Sequence, residues 1–367
     1  MKVCHFTSAH TSQDERIFFK ECVSLAQHGY ETHIVAKGDS YEKSGIHIHG
    51  VGYPSGGRLS RMTSFAKRVY EEALALDADI YHFHDPELLH YGLKLKRKGK
   101  KVIFDSHENT VEQIEEKDWI PGLIRRPLTV VFDWYQKNIC RQFDAVISVT
   151  PHICDYFRSV NPRTEMITNY PAYLPLPNVE KAACPTLCFA GGIAEQWCHR
   201  QIIQALEQVD CCIYRLCGDD DSDYFASLKE LPAWEKVDYI GRIPHEEVFA
   251  MLASCHIGMS LLQHNRNAGG AMGTMGNTKI FEEMMAGLPV ICTNFILWQE
   301  FVERYHCGIC INPENVDEIA AAIRYLLDHP DEARQMGENG RRAVKEEFNW
   351  GVEEKKLLAL YEDILKN

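Results

Sequence analysis

Hydrophobic and polar positions along the chain fall into two successive series of short strands and helices. Lys2–Thr7 is a continuous apolar run of strand length. Asp14–His28 follows, with Phe18, Cys22, Leu25 and Ala26 on one helical face and Gly29 just past its end. Glu31–Ala36, Ile80–His84, Lys101–Asp105 and Ala145–Val149 predict further strands. Asp85, followed by Pro86 and Glu87, reads as the cap and first turn of a helix. Asn169–Asn178 carries three prolines and predicts a linker. The alternation then restarts, with strands expected at Thr186–Ala190, Cys211–Cys217, Val237–Ile240, Ile257–Ser260, Pro289–Cys292 and Gly308–Ile311. Helical patterns separate most of these runs, and the last 50 residues read as helical.

Alternating strand and helix imply α/β architecture, with mostly parallel sheets covered on both faces. Two such series in 367 residues imply two Rossmann-like domains, expected at 1–172 and 177–350 and facing each other across a cleft. Ligands of such sheets bind beyond the carboxyl ends of the strands, so residues just after strands are the site candidates.

Charge narrows the partners. The formal net charge of −13 lies wholly in the second half, because residues 1–175 hold 22 basic and 22 acidic side chains. That balance argues against nucleic acid as a partner, but leaves room for a small anion bound at a helix N-terminus. The N-terminus reads as a buried strand rather than a signal peptide. The uncharged stretch Met284–Gln299 is too short for a membrane span and is broken by Gly287 and Pro289. A cytoplasmic protein is expected, with peripheral contact on the inner membrane face as an option. The fourteen cysteines are then expected to be reduced and mostly buried. Cys307 and Cys310 have a C-x-x-C spacing, but a single pair in a strand is a poor zinc signal.

Val237–Glu247, with its Gly241-Arg242 and Pro244-His-Glu-Glu247, and Asn277–Val290 occur in an order and spacing that resemble the retaining glycosyltransferases of family 4. Asp14–Phe18 and Tyr81–Glu87 resemble bacterial members that build surface polysaccharides. The resemblance spans nearly the whole chain. It implies the GT-B fold, a C-terminal helix (about 351–367) packing back on the first domain, and transfer of a hexosyl group from a nucleotide-diphosphate sugar, UDP- or GDP-linked, to a glycan or lipid-linked acceptor. It implies retention of configuration by front-face departure and attack, no metal and no cofactor.

The residues fit such a donor in several places. Asn267–Gly276 is glycine-rich, with Gly273 and Gly276 among its members, and leads into a helix opening at Asn277 or Thr278. Backbone N–H groups and the positive helix end suit a diphosphate. Lys279 adds a charge in the first turn, and the resemblance assigns Glu282 to the ribose hydroxyls. The alternative for this segment is a flexible loop before a surface helix. The resemblance places the nucleotide base against the backbone at Arg242 and Ile243; a plain surface charge is the alternative for Arg242. His107, just past a strand, takes the place of the histidine that contacts the donor sugar, where a neutral ring would donate a hydrogen bond. Arg16 is a candidate for the acceptor or the phosphates, against a partly exposed helix position. His82 and His84 share one strand face, but with no third ligand nearby, packing is favoured over metal. Lys94–Lys101, with Arg58, Arg61, Lys67 and Arg68, would suit an anionic membrane, against a solvated helix end.

The chain also departs from the family. The first of two glutamates eight positions apart falls at Thr274, and a basic pair that holds the diphosphate is replaced by Gly192 and Trp197, after Gly191. Arg200 is the expected substitute. These gaps keep two other readings open: a non-catalytic paralogue binding a partner transferase, and a nucleotide-sugar epimerase. A dinucleotide oxidoreductase is disfavoured, because Thr7–Ser12 holds no G-x-G-x-x-G turn.

Overall fold

The computed structural model describes residues 1–107, 110–116, 121–219, 222–265 and 269–366. They form two units, Met1–Asn169 with Glu353–Asn367, and Tyr170–Val352.

The first unit is built on β1 (Lys2–Thr11), β2 (Glu31–Lys37), β3 (Tyr41–Lys43), β4 (Ile46–Gly50), β5 (Ile80–Phe83), β6 (Lys101–Ser106), β7 (Ala145–Ser148) and β8 (Thr164–Met166). They pair in the order β3-β4-β2-β1-β5-β6-β7-β8, all parallel except β3 against β4. Ser44 and Gly45, with φ of 55° and 74°, turn β3 into β4. Two successive positive φ values match the twist of a two-residue hairpin. The Ile-His-Ile-His alternation of β4 buries its isoleucines and not its histidines, which is why no continuous apolar run marks this strand. One sheet face packs Phe6, Tyr81, Phe83 and Phe104 against helices that include Ala66–Ala75 and Leu89–Arg97. The other packs Ile34 and Ile48 against Ile17, Phe18 and Cys22.

The helix expected over 14–28 is two segments, Glu15–Cys22 and Val23–Gln27. Asp14 caps it, its carboxylate accepting the N–H groups of Arg16 and Ile17. Its first turn is wide: Phe19 N–H reaches Asp14 O, five residues back, at 3.4 Å. Asp85 does not cap the helix behind it. Its Oδ2 accepts Thr7 Oγ1 at 2.8 Å and the N–H groups of Ser8 and Ala9, tying down the end of β1 instead.

The second unit holds β9 (Thr186–Ala190), β10 (Ile213–Cys217), β11 (Val237–Gly241), β12 (Ile257–Ser260), β13 (Val290–Thr293) and β14 (Gly308–Ile311). They are all parallel, in the order β11-β10-β9-β12-β13-β14. The chain runs outward one way from β9 and then restarts on its other side with β12. That reversal opens a crevice at the carboxyl ends of β9 and β12. Ile202, Ile203, Ile319 and Ile323 cover one sheet face, and Ile280, Met284, Ala343 and Val344 cover the other.

Cys310 Sγ lies 3.6 Å from Cys292 Sγ on the neighbouring strand, and all fourteen cysteines are free thiols. The C-x-x-C spacing therefore pairs nothing with Cys307.

The Trp350–Lys366 helix contributes its residues from Glu353 onward to the first unit. Glu353 accepts the Thr168 N–H at 2.8 Å, and Leu357, Tyr361 and Ile364 are fully buried. Leu357→Ala removes a buried side chain and leaves a cavity, so it is expected to cost about 2–5 kcal/mol. A urea midpoint within error of wild type would show that this helix does not support the first unit.

Candidate functional site

In the second unit, the ends of three adjacent strands are tied together at the crevice, and Lys279 meets the first of them. Gly191 follows β9, and its N–H donates to Cys217 O at the end of β10. Gly218 follows β10 and donates to Gly241 O at the end of β11. A Cβ on Gly218 would stand 2.0 Å from Gly191 O, and a Cβ on Gly191 would stand 2.2 Å from Lys279 Cε. The φ of +152° at Gly191 disfavours a side chain further. The lysine stem can cross the strand end only because glycine is there. The Lys279 ammonium stands 4.9 Å from the Trp197 ring centre and 6.0 Å from that of Phe189, within cation–π range.

Lys279 lies in the first turn of the Thr278–Met285 helix. Asn277 caps this helix through Oδ1, which accepts the Lys279 N–H, while its buried Nδ2 has no partner. The preceding loop is pinned rather than loose from Gly269 onward. Ile296 and Leu297 donate to Ala271 O and Met272 O, and Trp298 Nε1 donates to Thr274 O at 2.9 Å. Gly269, Gly270 and Gly273 all have positive φ, and a Cβ on Gly273 would strike the Phe295 ring. Thr274 Oγ1 accepts the Gly276 N–H, so that donor, expected to face the ligand, is engaged within the loop. Asn267 lies outside the described residues.

Glu282 is half-buried, one turn on from Lys279. The sequence reading missed its neighbour Glu283, which is fully buried and points to β12, where Ser260 Oγ donates to Oε2 at 2.7 Å. The missing side chain of Gly258 makes the room. Burial pushes the Glu283 carboxyl up to about 8, so it is neutral at pH 7.

Arg200 is held elsewhere: Nη2 donates to Ser227 Oγ at 2.6 Å. Gly192 is exposed. Arg242 is a largely exposed charge 3.8 Å from Asp219, and Ile243 is partly buried against the Cys188–Leu252 cluster. Asp220 and Asp221 lie outside the described residues.

In the first unit, His107 sits one residue past β6. Its Nε2 lies 2.9 Å from Asp105 Oδ2. Asp105 is fully buried and receives Arg16 Nε at 2.8 Å and Nη2 at 3.2 Å. Burial opposes its charge, but the guanidinium and His107 hold the carboxyl well below the usual range. Arg16 is thus neither partly exposed nor turned outward. It is buried, and its third contact is Ile167 O. A guanidinium matches a carboxylate in two parallel bonds, so Asp105 fixes both Arg16 and His107. His84 joins the group, with Nδ1 3.3 Å from Asp105 Oδ2 and from His107 Nε2. The expectation that His82 and His84 lack further ligand atoms nearby is overturned: His5 and Glu21 lie beside them.

Part of the basic run is engaged within the fold, while Arg97 and Lys98 are exposed. Lys94 lies over the Tyr91 ring, Lys96 and Lys101 meet Asp144, and Lys100 meets Asp77.

Comparison with known proteins follows the same division. The model of "Glycosyltransferase Family 4" matches residues 15–169, and that of "Glycosyl transferases group 1" matches residues 178–343. The D-rhamnosyltransferase WbpZ of Pseudomonas aeruginosa is 21% identical over 95% of this chain and 92% of its own. A glycosyltransferase structure from Rickettsia africae superposes with a TM-score of 0.77 at 17% identity, covering 100% of this chain and 99% of that one. Anabaena Alr3699/HepE in complex with UDP-glucose gives a TM-score of 0.72 at 14% identity, covering 99% of this chain and 100% of that one.

Glu283 sets a pH test. Unfolded, it loses its proton near 4.5; folded, only near 8. The folded state binds more protons between these values, so this stability is complete below pH 4.5 and is lost as pH rises through 8. Glu283→Gln removes the dependence. Its melting temperature relative to wild type should climb from pH 5 to pH 8, by the equivalent of a few kcal/mol. A pH-independent difference would mean that Glu283 is not a buried neutral acid.

Proposed function

Because the chain belongs to the family 4 type of glycosyltransferases and has the GT-B fold, we propose that it is a retaining hexosyltransferase using a nucleotide-diphosphate sugar. The observation that carries this reading is the Lys279 stem laid across Gly191 where the strand order reverses, at the N-terminus of the Thr278–Met285 helix. A full positive charge, the helix dipole and the unpartnered Asn277 Nδ2 converge there on one place for an anion. The donor diphosphate takes that place, and Lys279 with the N–H groups of the first turn, Thr278 included, stabilises the charge that develops on it as the sugar leaves.

Glu282 accepts the ribose hydroxyls, and the backbone at Arg242 and Ile243 meets the base. His107 contacts the donor sugar. Its Nε2 is engaged with Asp105, so Nδ1 is the ring atom left for a sugar hydroxyl. Leaving-group departure and acceptor attack take place on the same face, with fixed cations in the role of a metal. The UDP-glucose in the Anabaena neighbour supports a UDP-linked donor, and the rhamnosyltransferase relative supports glycosyl transfer.

The acceptor is proposed to be lipid-linked, on the strength of the Gly122–Cys140 helix. Leu123, Val130, Val131 and Trp134 are each more than 60% exposed and share one face, with Arg126 exposed beside them. An apolar stripe flanked by cationic charge fits the surface of an anionic bilayer. Among the described residues, no helix is long and apolar enough to cross one.

Three experiments test this reading. A panel of UDP- and GDP-sugars should yield one transferred product whose anomeric configuration, read by NMR, is that of the donor, undiminished by EDTA. Lys279→Ala should remove the thermal shift given by the nucleotide and lower transfer by about 10²–10³-fold. His107→Ala should keep the thermal shift and lose transfer. No nucleotide-dependent shift in wild type would end the donor-site reading, and an inverted product would end retention. Vesicles containing anionic lipid should sediment the protein, and Leu123→Ser with Trp134→Ser should abolish this. Equal binding by the double variant would remove the helix from the membrane reading.

A further inference from the structure

We propose that His5, Glu21, His82 and His84 form a closed zinc site inside the first unit, separate from the donor chemistry. The four come from β1, β5, the segment leading out of β5, and the Glu15–Cys22 helix, and none is more than 3% exposed. Each offers one ligand atom, and these atoms lie within 4.8 Å of one another. His5 Nδ1 stands 3.1 Å from His84 Nε2 and 3.7 Å from Glu21 Oε2, which is 3.9 Å from His84 Nε2. A zinc ion bound at about 2.0–2.1 Å by four tetrahedral ligands spaces them about 3.3–3.4 Å apart, which these distances bracket.

Two buried atoms in the group lack partners. His82 Nε2 has none, and Glu21 Oε2 accepts no hydrogen bond, while the Arg16 guanidinium lies 3.1 Å from Oε1. Buried polar atoms are nearly always satisfied, and two of the unsatisfied ones among the described residues fall side by side in this cluster. A cation at its centre would take both.

The surroundings match a metal site as well. The ring nitrogen of each histidine that faces away from the centre has an oxygen partner. His5 Nε2 and His82 Nδ1 lie 3.2 and 2.8 Å from Tyr361 Oη, and His84 Nδ1 lies 3.3 Å from Asp105 Oδ2. Such outer bonds fix the tautomer and aim the second nitrogen at the metal. Three imidazoles and a carboxylate, with no open position, suit zinc in a structural role. The ion would tie β1, β5, the first helix and, through Tyr361, the C-terminal helix into one body. With every ligand buried, it would enter during folding and not exchange afterwards.

The test uses tag-free full-length protein expressed with zinc in the medium. After dialysis against EDTA, elemental analysis should find about one zinc per chain, released to a chromophoric chelator only on unfolding in guanidinium. Protein refolded with zinc should melt higher than protein refolded in EDTA. Refolding with cobalt should give the visible absorption of a tetrahedral site. Glu21→Gln and His82→Gln should each lose the metal, and where either fails to fold, the wild-type refolding pair decides. Folded wild type with less than about a tenth of an equivalent of any metal, melting alike after both refoldings, would overturn the proposal and leave Glu21 a neutral acid in an all-protein network.

Discussion

The second unit depends on how closely a lysine stem can approach a strand end. Gly191 closes β9 without a side chain, and Lys279 Cε occupies the space that a Cβ would take. That contact joins the first strand of the sheet to the helix following the fourth, on either side of the point where strand order reverses. The crevice is therefore furnished with a charge by packing rather than by a mobile surface side chain. Trp197 then limits where the ammonium can go, and the Asn277 cap sets the helix start one residue before it becomes crowded. Glu283, one turn along the same helix from Lys279, anchors it to β12 as a neutral acid, so the helix carries no buried negative charge against its positive end.

The interior of the first unit is polar where most interiors are not. Asp105 collects Arg16, His107 and His84, and the histidines at 5, 82 and 84 stack over one another on adjacent strands. Burying charges of this kind is costly unless each is paired. Asp105 and Arg16 meet that condition with two parallel bonds, and Asp105 thereby gives His107 a fixed orientation. The same requirement brings Glu21 and His82 into view: Arg16 and Tyr361 reach one side of each, and leave Glu21 Oε2 and His82 Nε2 without a hydrogen bond.

Most strands were legible because each is an apolar run bounded by turn residues. Thr186–Ala190, Ile257–Ser260 and Gly308–Ile311 have the same limits by pattern and by structure. Of the three strands not anticipated, β3 and β8 are three-residue edge pieces, and β4, between β3 and β2, hides its alternation behind histidines. The helix start at Asn277 was legible because a glycine loop, a cap residue and a lysine follow one another between Asn267 and Lys279. Asp85 was misread because local spacing suggested a cap, whereas its partners lie 76 to 78 residues away. The histidine group was invisible for the same reason: His5 and His84 are 79 residues apart and meet only through the pairing of β1 with β5. Glu283 could have been found, since a second glutamate on the apolar side of an amphipathic helix must be buried with a partner.

The departures from the family pattern are linked by this geometry. Where a basic pair is expected, the chain has Gly192 and Trp197, and Trp197 faces the one lysine that remains. Arg200 does not fill the gap, because Ser227 holds it. A second cation beside Lys279 would be repelled by it, and an aromatic ring is not. The indole stabilises the ammonium when no anion is present, and leaves it in reach of one. Thr274 is part of the same economy of charge. A glutamate there would bring a negative group into the loop at the helix start, where only one lysine opposes it; threonine closes the turn through Gly276 without adding charge. With the basic pair and the glutamate both absent, Lys279 and the helix dipole leave the helix N-terminus positive. On this argument the two substitutions compensate one another, and neither alone measures how far the site has drifted from its relatives.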